Sequence, residues 1–383
     1  MSAHEPVQVI LVDPSLFTAP YDAALTDGLV AACIEPTWAV RPTRVGDGQP
    51  IASKYVDAFF YRHVDRMTWL PEPLRKSMKG LAHAFGLVRL ASRVARQRPY
   101  TVHFQWAVIP LVDALAMLWI RRFCPVILTV HDTTPFNGDR LSFSQGFAYD
   151  LPMRVADRII VHTEAGRQLI VSRGVAKQKI NVIPHGPLQL VAVASRAKPC
   201  VDPRWTFLLF GELKAYKGIG SFVEAIAILP PALREQARFV IAGRPRMELG
   251  PLRARIAELG IERSIELQPR RLAEQEMADL FDETDCFVFP YSQVDASGVY
   301  FLVKSLSKWL IACNVGVFAE DLRDGIDGTL VPVADTLALA AALESAIKHR
   351  PSPSGGSATA NWLAIGEATR AVYEQAQAAE GAQ

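Results

Sequence analysis

Short apolar runs rich in β-branched residues alternate with helix-length amphipathic stretches along almost the whole chain. Runs with the character of strands fall at 7–13, 57–62, 100–105, 125–132, 158–163 and 180–186 in the first half, and at 205–211, 238–243, 264–269 and 286–291 in the second. Continuous runs of five or six apolar residues are typical of strands buried on both faces, and helices between such strands imply βαβ crossovers. The pattern therefore predicts an α/β protein with parallel sheets in both halves.

The periodicity lapses at two places, which we interpret as boundaries. Prolines punctuate a stretch near 187–204 that has neither helix nor strand spacing, and 350–361 is rich in Ser, Pro and Gly. A chain of 383 residues is long enough for two domains. We therefore predict an N-terminal domain over 1–190 and a C-terminal domain over 199–358, with a helix in 360–383 that returns to the first domain.

Composition and charge change this picture little. Hydrophobic residues make up 50% of the chain and the net charge is +2, as in many globular proteins. The N-terminus lacks the pattern of a signal peptide, and the most apolar segment, 107–120, is too short to span a bilayer. Five cysteines without CxxC or CxxH spacing argue against a zinc site or a disulfide framework and favour a reducing cytoplasm: Cys33, Cys124, Cys200, Cys286 and Cys313. We predict a cytoplasmic protein, soluble or peripheral at the inner face of the cell membrane.

One segment departs from the even charge distribution. Residues 74–99 hold seven Lys or Arg and no acidic residue, and their apolar positions recur at helical spacing. Such a basic amphipathic helix is typical of a segment that contacts anionic lipid. A domain helix with a solvated basic face explains the same pattern, and the sequence leaves both interpretations open.

The candidate chemistry lies where the predicted strands end, because ligands of doubly wound sheets bind at the carboxyl ends of strands. In FGELKAYKG a strand ends at Gly211, a loop carries Lys214 and Lys217, and a helix begins around Gly218. Backbone NH groups at a helix start, with two ammonium groups beside them, suit a diphosphate. A surface loop with solvated lysines is the alternative interpretation.

Two further strand ends carry candidates. Ser297 and Gly298 stand where a helix should start after the strand at 286–291, and they offer a hydroxyl and bare NH groups to an anion. An ordinary N-cap without a ligand is the alternative. His131 ends the strand of LTVHD in the first half, where it would point into a cleft, unless it is a structural histidine.

The order of these motifs resembles the retaining GT-B glycosyltransferases of family 4, also called group 1. Over about 125–345 the shared order is FGELKAYKG, VIAGRP, ADLFDETDCFVFPY, ASGVYFLVKSL and DGIDGTLVP, closest to the branch that has YKG and SGV. The resemblance implies two Rossmann-like domains facing across a cleft, with a UDP- or GDP-linked sugar on the second. It also implies a hexosyltransferase acting on a lipid-linked or polysaccharide-precursor glycan, as in exopolysaccharide biosynthesis.

The resemblance also assigns roles to residues. It implies that the donor diphosphate meets Gly211, Lys214, Lys217, Gly218, Ser297 and Gly298, and that His131 touches the donor sugar. With His131, the lysines Lys214 and Lys217 form the expected catalytic group. The nucleotide is expected near Arg244, Gln268, Arg270 and Asp295, and the acceptor near Asp13, Phe17 and Tyr21.

The sequence departs from the family pattern at three places. Two glutamates eight positions apart are replaced by Asp295 and Val303, which removes the usual ribose contact. The usual turn after this helix is replaced by SKWLIACNVG at 307–316, and the Gly-rich loop near the N-terminus by 13–25. We expect no cofactor and no metal, because the DETD run at 282–285 ends a helix and has the character of solvated carboxylates.

Two other function classes remain open on the sequence. A nucleotide-sugar 2-epimerase shares the two-domain architecture and also holds a diphosphate. A degenerate transferase that serves only as a binding module would explain the lost second glutamate. A nucleic-acid binder is not favoured, because the basic residues are not interleaved with exposed aromatic residues.

Overall fold

The computed structural model describes residues 7–44, 51–64, 67, 69, 71–133, 146–190, 203–354 and 361–380. The chain divides into two compact units. The first comprises Met1–Gly186 with Thr359–Gln383, and the second comprises Pro187–Ala358. Each is built on one parallel sheet, so the predicted α/β class is confirmed for both halves.

The sheet of the first unit has seven strands in the order β3-β2-β1-β4-β5-β6-β7, and all neighbours pair in parallel. The strands are β1 Val7–Asp13, β2 Ile34–Val40, β3 Val56–Ala58, β4 Thr101–Phe104, β5 Val126–Val130, β6 Arg158–Val161 and β7 Ile180–Val182. The helices between them are α1 Ala19–Ala31, α2 Glu72–Gln97, α3 Pro110–Ile120, α4 Leu151–Val155 and α5 Glu164–Ser172.

Helices cover both faces of this sheet. Leu87 of α2 and Met117 of α3 share one core with Ile10 and Val12 of β1. Their alternating neighbours in β1 face a second core that contains Leu25 of α1. Burial on both faces explains why the strands are continuously apolar rather than alternating.

The sheet of the second unit has six parallel strands in the order β10-β9-β8-β11-β12-β13. These are β8 Trp205–Phe210, β9 Ala237–Ala242, β10 Ile265–Gln268, β11 Cys286–Phe289, β12 Trp309–Cys313 and β13 Gly328–Val331. Its helices are α6 Ile219–Ile228, α7 Pro231–Arg234, α8 Gly250–Glu258, α9 Glu274–Asp282, α10 Gly298–Lys304, α11 Gly316–Asp321 and α12 Thr336–His349.

The last helix, α13 Trp362–Glu380, returns to the first unit as predicted. It crosses α1 so closely that a Cβ on Gly366 would lie 2.0 Å from the carbonyl oxygen of Gly28. Glycine at both positions is what permits this backbone contact. Farther along, the hydroxyl of Tyr373 lies 2.8 Å from Nδ1 of His103 in β4. The sheet face over α1 is therefore completed by a chain segment far away in sequence.

Several sequence predictions need correction. The segment 307–316, interpreted as a turn, contains the fully buried strand β12, and β2 and β13 were not predicted at all. The predicted strand at 57–62 stops at Ala58, because the amides of Phe59 and Phe60 both donate to Val40 and turn the chain. The DETD run does end helix α9 and precede β11. None of the described helices has the length and apolarity needed to cross a lipid bilayer.

Candidate functional site

The second unit has a point where the direction of strand order reverses. From β8 the chain moves to β9 and β10 on one side, and from β11 to β12 and β13 on the other. The loops after β8 and β11 therefore leave neighbouring strands at the same edge of the sheet. Ligands of doubly wound sheets bind at such a switch point, and the predicted lysine and serine motifs both lie there.

Lys217 is the buried cation of this switch point. It closes a 3₁₀ turn, Ala215–Lys217, and its side chain points back beneath the loop, so that the residue is 5% exposed. Its Nζ donates to the carbonyl oxygen of Phe210 at 3.3 Å. Burial lowers the pKa of Lys217 to about 8. An ammonium group has three donors, so this lysine can still bind an anion.

Glycines shape the loop around that amine. Gly211 has φ of 112°, and a Cβ there would lie 2.6 Å from Lys217 Nζ. Gly218 has φ of 66°, and a Cβ there would lie 1.8 Å from the carbonyl oxygen of Pro290 in the other loop. The amide of Ser292 also donates to the carbonyl of Tyr216 at 2.8 Å. The two loops are therefore in backbone contact, and only glycine fits where they meet.

Lys214 brings a second positive charge to the same loop. Its Nζ lies 3.5 Å from the carboxylate of Glu212, which also pairs with Arg246 at 2.8 Å. One carboxylate therefore faces two cations here, in addition to Lys217. The loop at the carboxyl end of β8 therefore carries a net positive charge, which favours a bound anion.

The loop after β11 contributes hydroxyl groups. Ser297 is the N-cap of α10, and its Oγ accepts the amide of Tyr300 at 3.4 Å. The adjacent Gly298 is exposed. Tyr291 is fully buried beside Ser297, and its hydroxyl makes no hydrogen bond of normal length with the described residues. Burial raises the pKa of Tyr291, and the neighbouring Ser297 side chain opposes that shift.

The residues expected near the nucleotide lie on the other side of β8. Arg244 is exposed after β9, and its carbonyl accepts the amide of Leu213 in the lysine loop at 2.8 Å. Gln268 ends β10 and Arg270 follows it, one strand farther away. The guanidinium of Arg270 is already held by both oxygens of Glu276, at 2.8 and 2.9 Å.

The two positions where the family has glutamates lie in different surroundings. Asp295 is half-buried in the loop that precedes Ser297, on the same side of the sheet as the lysines. Val303 lies inside α10 and is fully buried. A carboxylate at Val303 would lie in the hydrophobic core, so the ribose contact is not supplied from that position.

The first unit has its own switch point, between β1 and β4. Asp13 ends β1 and is fully buried, and its carboxylate accepts the amides of Ser15 at 3.3 Å and Thr18 at 3.2 Å. Asp22, also fully buried, accepts from the hydroxyl of Thr18. Burial raises the pKa of Asp13, and burial together with the charge of Asp13 raises that of Asp22 well above its ordinary value. This pair shapes the loop and holds a proton.

Aromatic side chains line the same edge. Phe17 is 51% exposed and meets Trp106 edge to face at 5.5 Å, and Trp106 stacks on His131 at 5.2 Å. Trp106 also donates from Nε1 to the hydroxyl of Thr18. Tyr21 is buried behind them, with its ring 4.9 Å from that of His131. Of the three predicted acceptor-side residues, Phe17 is therefore the exposed one.

His131 belongs to a buried chain of hydrogen bonds. His162 Nδ1 donates to the carbonyl of Ile183 at 3.0 Å, which leaves its Nε2 to accept the Nδ1 proton of His131 at 3.1 Å. Nε2 of His131 is then an acceptor that faces the side-chain amide of Gln105, 3.1 Å from Oε1. A half-turn of that amide presents its NH₂ group as the donor.

The electrostatics of this chain favour neutral imidazoles. Burial, and then the neighbouring His162 and His185, lower the pKa of His131 well below its ordinary value. His131 is therefore a neutral hydrogen-bonding group rather than a cation. Among the described residues no cluster of His, Cys, Asp or Glu is arranged to hold a metal ion.

Sequence reasoning missed His162 and His185. They follow β6 and β7, as His131 follows β5, so three neighbouring strand ends each carry a histidine. That recurrence was visible in the sequence as LTVHD, IIVHT and VIPHG. A small cavity of about 40 Å³ opens beside His131 within the first unit, lined among others by Gln105 and Trp106.

Family models match both units separately. The model described as "Glycosyltransferase Family 4" matches residues 23–186, and the model described as "Glycosyl transferases group 1" matches residues 204–349. Curated relatives at 25% identity over 258 residues are the D-inositol 3-phosphate glycosyltransferases of Mycobacterium sp. strains KMS, JLS and MCS. The match covers 61% of this chain and 57% of each relative, so the chain spans little more than half their length.

Solved structures share the fold at low identity. Anabaena HepE, solved in complex with UDP and glucose, is 15% identical with a TM-score of 0.66 over 98% of this chain and 100% of its own. Sucrose-phosphate synthase from Thermosynechococcus elongatus is 17% identical with a TM-score of 0.62, over 97% and 95%. The catalytic domain of starch synthase IV from Arabidopsis thaliana, bound to ADP and acarbose, is 11% identical with a TM-score of 0.68, over 98% and 100%.

Proposed function

The chain belongs to the family 4, group 1 glycosyltransferases with the GT-B fold, and we propose that it transfers a hexose from a nucleoside diphosphate with retention of configuration. The observation that carries the proposal is the buried pair at the second switch point. The ammonium group of Lys217 is buried and lies over the ring of Tyr291, where the loops after β8 and β11 meet. A buried ammonium group that spends one of its three donors on a backbone carbonyl suits a diphosphate.

The proposed catalysis rests on stabilising the leaving group. As the bond between the anomeric carbon and the diphosphate breaks, negative charge grows on the phosphate oxygens. Lys217 and Lys214 face that charge as preorganised cations, and Ser297 and the NH group of Gly298 add hydrogen bonds. The acceptor hydroxyl attacks from the side on which the diphosphate leaves and forms the new glycosidic bond. Its proton passes to a phosphate oxygen, so the charges balance without a side-chain base.

His131 is proposed to hydrogen-bond the donor sugar. Its low pKa keeps it neutral, and the chain to His162 and Ile183 fixes which ring nitrogen carries the proton. With Nδ1 committed to His162, Nε2 is the acceptor, and a sugar hydroxyl would replace the Gln105 amide as its donor. His131 is therefore proposed to orient the sugar and not to transfer a proton.

The nucleotide is proposed to lie over β9 and β10. Arg244 is the exposed basic group there, with Gln268 beyond it and Asp295 on the near side. Arg270 is held by Glu276, so it contributes to the shape of this edge rather than as a free cation. The fold neighbour that carries UDP and glucose supports a UDP-linked donor, and GDP is the competing base.

The acceptor is proposed to be a lipid-linked or polysaccharide-precursor glycan bound by the first unit. The exposed Phe17 and the half-buried Trp106 offer flat apolar faces of the kind that stack on sugar rings, and Asp13 and Tyr21 support them from beneath. A role in building exopolysaccharide is consistent with such an acceptor. No observation favours the 2-epimerase or the degenerate binding module, because both matching family models describe transferases.

The test is a donor panel. The protein is incubated with UDP- and GDP-linked hexoses with and without glycolipid acceptors, and the release of free nucleoside diphosphate is measured. We expect release from one base class and an increase with acceptor, and the anomeric configuration of the product is read by NMR. Absence of both nucleotide binding and release would overturn the proposal, and an inverted product would overturn retention alone.

A further inference from the structure

Helix α2 has two apolar faces on opposite sides. His83, Leu87, Leu90 and Val94 are buried against the sheet. Because each residue turns a helix by about 100°, a second stripe lies about half a turn away: Leu74, Met78, Leu81, Phe85 and Val88. In this second stripe Leu81 is 73% exposed, Phe85 72% and Val88 62%. A helix of a water-soluble domain needs only one apolar face, so the outer stripe requires a separate explanation.

Basic side chains run along one flank of that stripe. Arg75, Arg89 and Arg96 lie on the same side of the helix at helical spacing. Lys76 pairs with Glu72, and Arg93 pairs with Asp57. Since 74–99 contains seven basic residues and no acidic one, the segment stays strongly positive after these two pairs.

Helix α3 extends the same surface. Leu111, Leu115, Leu118 and Trp119 are exposed at helical spacing along its outer side. The buried sides of α2 and α3 share one core on one face of the sheet, so their outer sides face the same way. Two basic residues, Arg121 and Arg122, come directly after α3, and Arg121 pairs with Asp157. We call the exposed apolar and basic residues of 74–98 and 111–122 the two-helix face.

A buried polar link holds the two helices together. His83 Nε2 of α2 lies 2.9 Å from Oδ1 of Asp113 in α3, and both side chains are buried. The other nitrogen of His83 lies 2.8 Å from the hydroxyl of Tyr61, and Oδ2 of Asp113 accepts the amide of Ile109 at 2.6 Å. A fully satisfied buried network favours one arrangement of the elements it joins. The link therefore fixes the outer sides of α2 and α3 relative to each other.

We propose that the two-helix face docks on an anionic phospholipid bilayer. A basic amphipathic helix lies in the interface plane with its apolar side chains inserted and its cationic flank at the headgroups. A second copy of this chain is a poorer occupant, because a self-complementary contact would bring the positive flanks together. Docking itself does not depend on the transfer reaction. Only its purpose, delivery of a lipid-linked acceptor to the first unit, rests on the proposed function.

The test is co-sedimentation with vesicles in the absence of any nucleotide sugar. The full-length protein is mixed with vesicles of equal parts phosphatidylglycerol and phosphatidylcholine, or of phosphatidylcholine alone. We expect at least about tenfold stronger partitioning to the anionic vesicles, falling as salt rises. Equal partitioning to both vesicles, or none to either, overturns the proposal.

Matched variants locate the contact. Leu81→Ser with Phe85→Ser should lower partitioning about tenfold or more, because two inserted side chains are lost, whereas the equally exposed Leu337→Ser on α12 should not. Arg89→Gln with Arg96→Gln should weaken binding mainly at low salt, against Arg263→Gln as the control. If both double variants partition to the vesicles as the wild type does, the two-helix face is not the contact surface.

Two further measurements separate lipid docking from self-association and from loss of enzyme activity. Light scattering without lipid reports the oligomeric state, and a dimer that Leu81→Ser with Phe85→Ser dissociates would overturn docking in favour of a second copy. Turnover with a water-soluble acceptor should be unchanged in the same variant. Loss of lipid binding with normal turnover supports the face, and normal lipid binding in a protein that lacks transferase activity contradicts only the proposed function.

Discussion

The ammonium nitrogen of Lys217 lies 5.2 Å from the centre of the Tyr291 ring, so the loops after β8 and β11 share a cation–π contact. This contact joins two strand ends that are distant in sequence and adjacent in the sheet. It brings the charge of the first loop against an aromatic ring of the second. The predictions for the second unit follow from it.

Replacing Lys217 by Ala should lower turnover by about two orders of magnitude or more, which is the scale of losing one transition-state donor. The variant should keep its fold, because the ammonium group makes only one backbone hydrogen bond. Lys348→Ala is the control, since that lysine is exposed and, among the described residues, pairs with Glu344 on α12. Near-wild-type rates in Lys217→Ala would overturn the site assignment.

Replacing Gly211 by Ala should weaken nucleoside diphosphate binding without unfolding the protein. The added Cβ would lie 2.6 Å from Lys217 Nζ, at a backbone φ that non-glycine residues rarely adopt. The lysine head must therefore move. Calorimetry with UDP and GDP measures the effect, and Gly220→Ala is the matched control because its Cβ would meet nothing within 4 Å. Equal affinities for both variants would count against the role of the lysine.

Binding of the diphosphate should weaken as the pH rises through about 8. Burial lowers the pKa of Lys217 to that value in the free protein, so above it the buried amine is neutral and the attraction is lost. The dissociation constant of the donor nucleotide is measured between neutral and alkaline pH. Lys217→Gln should bind weakly at every pH and lose the titration, and an unchanged pH midpoint in that variant would point to another group.

Replacing Asp22 by Asn should stabilise the protein increasingly as the pH rises above 4. The folded-state pKa of Asp22 is raised by burial and by Asp13, whereas the unfolded chain titrates near the ordinary value of 3.8. The folded state thus holds a proton that the unfolded state releases, and stability falls with pH from that value up to the raised pKa.

Asn at this position is always neutral, so the difference from the wild type should grow by about 1.4 kcal/mol for each pH unit in that window. Thermal or denaturant unfolding over a pH series measures it. Asp27→Asn, on the exposed side of the same helix, should show no such growth. A constant difference for Asp22→Asn would mean that the carboxyl is ionised in the folded protein.

The sequence predicted the fold class and most of the strands because strands buried on both faces leave long apolar runs, such as β1 and β8. It missed β2 and β12 for different reasons. In β2 the run Ile34–Val40 contains Pro36 and Glu35, which disguise a strand of the sheet interior. In β12 the resemblance to the family led us to expect a turn where five buried residues form a strand.

For the candidate site, the order of motifs selected Lys217, Ser297 and His131 as candidates. It could not show that Lys217 is buried, or that Tyr291 lies beneath it, because those facts depend on how two loops pack. The interaction of Asp13 with Asp22 was equally hidden. The two residues are nine positions apart, and they come together only because the chain turns from the end of β1 into α1. Distances between loops are a property of the fold rather than of any single motif.

The backbone contact between Gly28 and Gly366 has a consequence for synthesis on the ribosome. The face of the first sheet over α1 stays only partly covered until α13 emerges, because Tyr373 and Ile365 complete its core. The second unit, encoded between these segments, is complete before then. Although nascent domains generally fold from the N-terminus onward, this chain should complete its second unit before its first.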